Sequence, residues 1–364
     1  MNLDRVEKIA DAVLYEGYIL YPYRSSSVKN RQRWNFGALC PPSYSEAQGG
    51  TEACLMQTEC LVSGDERVTL DVKVRFLHLL SREVGVPVAE CGSRSADYDE
   101  SQVGNSDSQF RVVPSLEVGG RIYQTWQEAV ERELNLPGIN LHQLVSERRR
   151  EAFAFSSQQE TEPLREPDGR IPGMLVRRQE SIEGSVEMSA ERAGEKLFKV
   201  TLRILNLTPL DDAANKSRDE ALMRSLVSTH AILGVREGGG AFVSLLEPPE
   251  ALREIAASCR NTGTWPVLVG EEGERDCMLS SPIILYDYPQ IAPESAGDLF
   301  DGTEIDEILT LRIMTLTDEE KREMRGVDER ARQLLERTEQ LPAEGLMKLH
   351  GAMRAVSPRE EGER

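Results

Sequence analysis

The chain has 364 residues, with 43 basic against 62 acidic side chains and a formal net charge of −19. That length accommodates two or three domains around sizeable cores. The acidic balance opposes non-specific attachment to nucleic acid or anionic membrane, and no run approaches the roughly 20 apolar residues that span a bilayer.

Leu3, Val6, Ile9, Ala10, Val13 and Leu14 recur at helical spacing, with Asp4 and Glu7 early, which predicts a short amphipathic helix over 3–14. Acids at this end stand where a secretory signal would carry a basic region, so the expected location is the cytoplasm. The chain then alternates as an extended segment until Pro22, which confines it to an edge. From 17 to 45 there is no acid, yet Arg24, Lys29, Arg31 and Arg33 stand among Tyr18, Tyr21, Tyr23, Trp34, Phe36 and Tyr44. Tyrosine, tryptophan and arginine in this density match the composition of an interface hot spot.

Two half-buried strands follow from period-two alternation. Leu70, Val72, Val74 and Phe76 share one face opposite Asp71, Lys73 and Arg75, and Phe198, Val200, Leu202 and Ile204 share one opposite Lys199, Thr201 and Arg203. Val-Arg-Phe-Leu-His-Leu at 74–79 aligns with Leu-Arg-Ile-Leu-Asn-Leu at 202–207, and Gly119-Gly echoes Gly239-Gly as a turn feeding a strand. These echoes predict two sandwich-like halves related by duplication, against the alternative that amphipathic strands resemble one another by chance. The expected fold is therefore a β-rich α+β protein with an N-terminal helix and C-terminal helices. Its expected units are 1–157, a Glu-, Arg-, Pro- and Gly-rich connection over 158–178, a second β-rich unit over 179–311, helices over 312–356 and a polar tail over 357–364. The stretch 90–109, rich in Ser, Asp and Gly, reads as an exposed loop. Thr317-Asp-Glu-Glu is a capping-box pattern opening a charged helix that runs toward Glu339.

No nucleotide-binding, nucleophile-elbow or zincin motif occurs. The Gly238-Gly-Gly run reads as a hairpin turn, because Glu237 beside it would repel an anion. The six cysteines form no Cys-x-x-Cys pair and the four histidines none at helical ligand spacing, so no metal and no cofactor is expected. From 276 to 311 there is no Lys or Arg but there are eight acids. Their spacing fails the EF-hand pattern, which leaves protein docking or loop fixation ahead of cation binding and acid–base catalysis.

Ala12-Val-Leu-Tyr-Glu-Gly-Tyr-Ile-Leu-Tyr-Pro-Tyr-Arg with Lys29-Asn-Arg and Trp34-x-Phe-Gly resembles an uncharacterised bacterial family encoded near NiFe hydrogenase genes. The run from Leu279-Ser-Ser-Pro-Ile-Ile-Leu-Tyr-Asp-Tyr-Pro through Asp-Leu-Phe-Asp-Gly-Thr-Glu-Ile-Asp-Glu carries the same resemblance. The resemblance implies a non-enzymatic factor in hydrogenase maturation, assembly or stability, whose partner is a hydrogenase subunit or another maturation factor. It carries no catalytic residues to transfer. The residues expected to bind that partner, or to pair block with block, are Tyr15, Glu16, Tyr18, Tyr21, Tyr23, Arg24, Lys29, Asn30, Arg31, Arg33 and Trp34 in the first block. In the second they are Asp287, Tyr288, Glu294, Asp298, Asp301, Glu304, Asp306 and Glu307. Pairing Arg24, Arg31 or Arg33 with these carboxylates would relieve self-repulsion within each block. The competing expectation is an enzyme using the acidic loop 287–307 with a divalent cation.

Overall fold

Alternation in the two strands read from sequence builds the two faces of a single core. Val72, Val74 and Phe76 from one strand and Val200, Leu202 and Ile204 from the other are fully buried in one apolar cluster. A computed structural model describes residues 3–15, 34, 36–87, 110–236, 238–290, 313–327, 332, 335, 336 and 338–340 of the chain. In chain order the elements are α1 (Leu3–Tyr15), α2 (Pro42–Ala47), β1 (Leu55–Ser63), β2 (Thr69–Pro87), β3 (Phe110–Val113), β4 (Ser115–Val118), β5 (Arg121–Gln124), β6 (Trp126–Asn140), α3 (Leu141–Ser146), β7 (Arg149–Phe155), β8 (Gln158–Leu164), β9 (Gly173–Gln179), β10 (Ile182–Gly194), β11 (Leu197–Asn206), α4 (Arg218–Leu222), β12 (Val227–Val235), β13 (Ala241–Val243), α5 (Arg253–Ala257), β14 (Trp265–Leu268), β15 (Cys277–Ser281) and α6 (Asp318–Val327).

The fold is strand-rich α+β, built from antiparallel sheets. One sheet runs β13-β1-β11-β10-β7; the other runs β14-β15-β12-β2-β9-β8, with β3 and β6 also paired to the long β2. The two strands that echo each other in sequence thus lie in different sheets, on opposite sides of a shared core. Strands from both predicted halves interleave in each sheet: β1 pairs β11, and β2 pairs β12. The two Gly-Gly turns also have unlike settings, since β4 and β5 form their own hairpin whereas β13 is an edge of the five-stranded sheet. The two expected halves are therefore not separate units, since their strands interleave in one sandwich.

The expected connection over 158–178 is the β8–β9 hairpin, registered from Gln158↔Gln179 to Leu164↔Gly173. Its composition misleads because β8 is an edge strand, and edges are kept charged and tolerate Pro163. A cross-strand ion pair joins Arg177 to Glu162 at 2.9 Å. The loop read over 90–109 lies outside the described residues. The end of the expected helical stretch 312–356 and the tail over 357–364 lie there as well.

The outer face of the larger sheet carries the charges of β2, and α1 covers them. Lys73 meets Glu7 at 2.9 Å and Arg75 meets Asp11 at 2.7 Å, while Val6, Ile9, Ala10 and Val13 are buried against Ile232, Val267, Val269 and Leu279. At the other end Thr317 caps α6 as its sequence predicts: Glu320 donates its N–H to Thr317 Oγ1 at 3.2 Å and accepts from the Thr317 N–H at 2.9 Å. Among the described residues no helix is long and apolar enough to cross a membrane.

Two histidines are fully buried. His230 on β12 bonds the Ser228 carbonyl through Nδ1 at 2.9 Å, so that nitrogen carries the proton, and its Nε2 has no partner among the described residues. Burial, with the nearby Arg75 guanidinium as a lesser cause, pushes its pKa down to about 4; burial and then Arg132 do the same to His78. The unfolded chain takes up a proton near pH 6.5, whereas folded His230 resists until about pH 4. Stability is therefore complete above pH 6.5 and falls on acidification through that window, by on the order of 3 kcal/mol from His230. Urea unfolding at pH 7 and pH 4.5 should show this loss, and it should shrink in His230→Leu. Equal pH dependence in the variant would exclude His230 as the cause.

Candidate protein-docking site

The second sequence block begins inside the core. Ser280 and Ser281 close β15 and are fully buried. Thr264 donates to the Ser281 carbonyl at 3.1 Å, so in the 2.6 Å contact between Thr264 and Ser280 the donor is Ser280. Thr58 of β1 must then donate to Ser280, also at 2.6 Å, which ties the five-stranded sheet to the larger one. Ser281 Oγ donates to the Ile283 carbonyl at 2.8 Å and turns the chain after Pro282. The Ser-Ser-Pro of the motif is thus accounted for by hydrogen bonding.

From there the chain runs back along β14. Ser281 stands opposite Trp265 at one end of that strand; at the other, the Tyr288 N–H donates to the Leu268 carbonyl at 2.7 Å. Asp287 locks this return. One carboxylate oxygen accepts from the Leu268 N–H at 2.7 Å and the other from Ser244 Oγ at 2.5 Å. Ser244 Oγ in turn accepts from the Glu247 N–H at 2.8 Å, so a single aspartate fixes two loops. It also satisfies an edge-strand backbone group that would otherwise invite pairing with another chain.

Between these anchors the side chains alternate. Ile283 and Leu285 turn inward against the cluster under α1. Ile284 and Tyr286 turn outward and are 72% and 86% exposed. Single exposed apolar residues are ordinary, but Ile284 and Tyr286 stand two positions apart on one anchored segment.

The first block joins the second through its last residues. Trp34 is buried against Leu14, Leu77, Leu79, Leu222 and Val227; its indole N–H donates to Gln127 at 3.1 Å and its carbonyl accepts from Arg218 at 3.2 Å. These contacts hold a bulky residue at φ 64°, a strained conformation for any side chain but glycine. Gly37 follows at φ 56°, and a Cβ there would lie 2.7 Å from Pro282 Cγ. Only glycine fits where the two motifs touch.

Of the residues expected in this site, Trp34, Asp287 and Tyr288 are described in full, and Tyr15 as the last residue of α1. Glu16, Tyr18, Tyr21, Tyr23, Arg24, Lys29, Asn30, Arg31 and Arg33 lie outside the described residues, as do Glu294, Asp298, Asp301, Glu304, Asp306 and Glu307. The proposed Arg–carboxylate pairing between the blocks falls there too. Trp34 serves the core rather than a surface. Ile284 and Tyr286 escaped the reading because charge and aromatic density drew attention to their neighbours; the alternation over 283–286 was the available signal. Among the described residues no group of three His, Cys, Asp or Glu is placed to hold a metal. Burial raises the thiol pKa of Cys277 to about 12 and of Cys259 to about 11. Compared with known proteins, the sequence matches no family model and no curated protein.

Removing the Asp287 carboxylate should cost about 1–3 kcal/mol, because it leaves the Leu268 N–H and Ser244 Oγ without their acceptor. A double-mutant cycle of Asp287→Ala and Ser244→Ala, read by urea unfolding, should give a coupling above about 0.5 kcal/mol. Strict additivity would show that the bond contributes nothing.

Proposed function

We propose that this protein is a non-enzymatic binding factor acting in the cytoplasm, and that its partner is an NiFe hydrogenase subunit or another protein of hydrogenase maturation. The outward pair Ile284 and Tyr286, held on a segment that Asp287 anchors, is the observation that carries the binding reading. A surface fixed before association loses little conformational freedom on docking. The hydrogenase assignment rests on the sequence resemblance, whose second motif contains this segment. The competing enzyme reading requires carboxylates free to act, and the described member of that loop, Asp287, has both oxygens engaged in fixing loops.

Affinity capture from the native host, followed by mass spectrometry, tests the proposal. Wild-type protein should recover a hydrogenase-related protein that an Ile284→Ser/Tyr286→Ser double variant, folded by circular dichroism, recovers at least about tenfold less. Recovery by both proteins alike would remove the surface from the reading. Recovery of partners with no connection to hydrogenase would remove the assignment.

A further inference from the structure

We infer that the free edge of β7 takes an added strand, an extended segment of a partner polypeptide that brings a carboxylate to Arg132. This edge ends the five-stranded sheet on the side remote from β13, so the inference is independent of the surface formed by the return segment.

An open edge offers every second backbone N–H and C=O to an incoming chain, and proteins blunt the edges they do not use. The edges of this fold differ in that respect. β8 carries Glu160, Glu162 and Pro163, β6 carries Glu131, Glu133 and Pro137, and β14 is blunted by the segment that Asp287 locks. Among the described residues β7 pairs with β10 alone. Its second half, Ala152-Phe153-Ala154-Phe155, holds no charge, no proline and no register shift. Phe153 and Phe155 pack inward, their ring centroids 5.8 and 6.1 Å from that of Phe76. Ala152 and Ala154 are exposed between them and too small to hinder a neighbouring strand.

Charge selects the strand. Arg132 on β6 stands opposite Phe76 in register, and its guanidinium lies over the Phe155 ring at 4.5 Å, between the two sheets. Side chains that an added strand places beside Phe155 enter the same space. Nη2 of Arg132 donates to Gln179 at 3.0 Å, while its Nε has no acceptor and the group no carboxylate among the described residues. Neighbouring acids are engaged elsewhere: Glu128 with Arg82 and Arg177, Glu131 with Arg75, Glu133 with Lys73 and Glu180 with Arg224. Burial works against the uncompensated charge and lowers the Arg132 pKa. A carboxylate there makes a charge-assisted bond, whereas a cationic strand meets repulsion. A second copy of β7 supplies no such group, since full antiparallel overlap sets Arg149 against Phe155 and Arg150 against Ala154.

The test uses the full-length chain and a fluorescein-labelled peptide of alternating valine and glutamate. One counterpart has lysine in place of glutamate, and another is the glutamate peptide N-methylated throughout, which cannot donate to a sheet edge. Fluorescence anisotropy should show the glutamate peptide binding at least about tenfold more tightly than either. Hydrogen exchange should slow at least about tenfold in β7 when that peptide is bound, and stay unchanged in β8. Arg132→Gln, folded by circular dichroism, should weaken the glutamate peptide at least about tenfold. If that variant does not fold, the exchange and N-methylated arms decide. Equal binding of either counterpart, β7 amides that do not slow, or unchanged binding by folded Arg132→Gln each overturns the inference. So does slowing of β7 amides with protein concentration in the absence of peptide, which would make a second copy the occupant.

Discussion

The molecule depends on one apolar layer between two sheets whose strands come from all along the chain. β2 contributes Val72, Val74 and Phe76 and β11 contributes Val200, Leu202 and Ile204, and neither sheet has this layer without the other. Burial of the layer dominates the stabilisation, as apolar area does in globular domains. Every other arrangement follows from closing it. The charged reverse face of β2 must be covered, which α1 does with Glu7 and Asp11. The exposed rim of β14 must be blunted, which the return segment does with Asp287.

Interleaving also explains how local features are coupled. A hydroxyl chain from Thr58 through Ser280 to Thr264 crosses from β1 to the end of β15, where the return segment starts. Gly37 presses on Pro282 from the other side, and the Phe36 and Gly37 carbonyls accept from the Ser228 and Thr229 N–H groups at 3.1 and 3.0 Å. The start of β12 is thereby bound to residues almost 200 positions earlier. The described parts of the two sequence motifs therefore touch at Gly37 and Pro282.

Much of this was legible in the sequence, wherever the signal was local. The faces of β2 and β11, the helix α1, the Gly119-Gly turn between β4 and β5 and the Thr317 cap each follow from spacing within a few residues. Partnership between sheets did not follow, because an amphipathic strand announces that one face is buried and not against what. The same limit turned an edge hairpin into a connection: Glu160, Glu162 and Pro163 look like linker residues when their pairing with β9 is invisible. Trp34 illustrates the converse. Beside four cations and several tyrosines it read as a surface anchor, yet its indole is enclosed between Leu14 and Val227.

The site poses a different problem, since composition draws the eye to charge while exposure is decided by packing. Asp287 is the clearest case. Within a run of eight acids it counted as one more carboxylate, but in the fold it accepts a backbone N–H and a hydroxyl and so converts a loop into a fixed shelf. Tyr288 at φ 57° and Ser228 at φ 52° add strained backbone on either side of the joint, and such conformations persist only where the surroundings over-determine them. Strain is therefore concentrated in the supports, while the side chains they present, Ile284 and Tyr286, make the least use of the fold's own core.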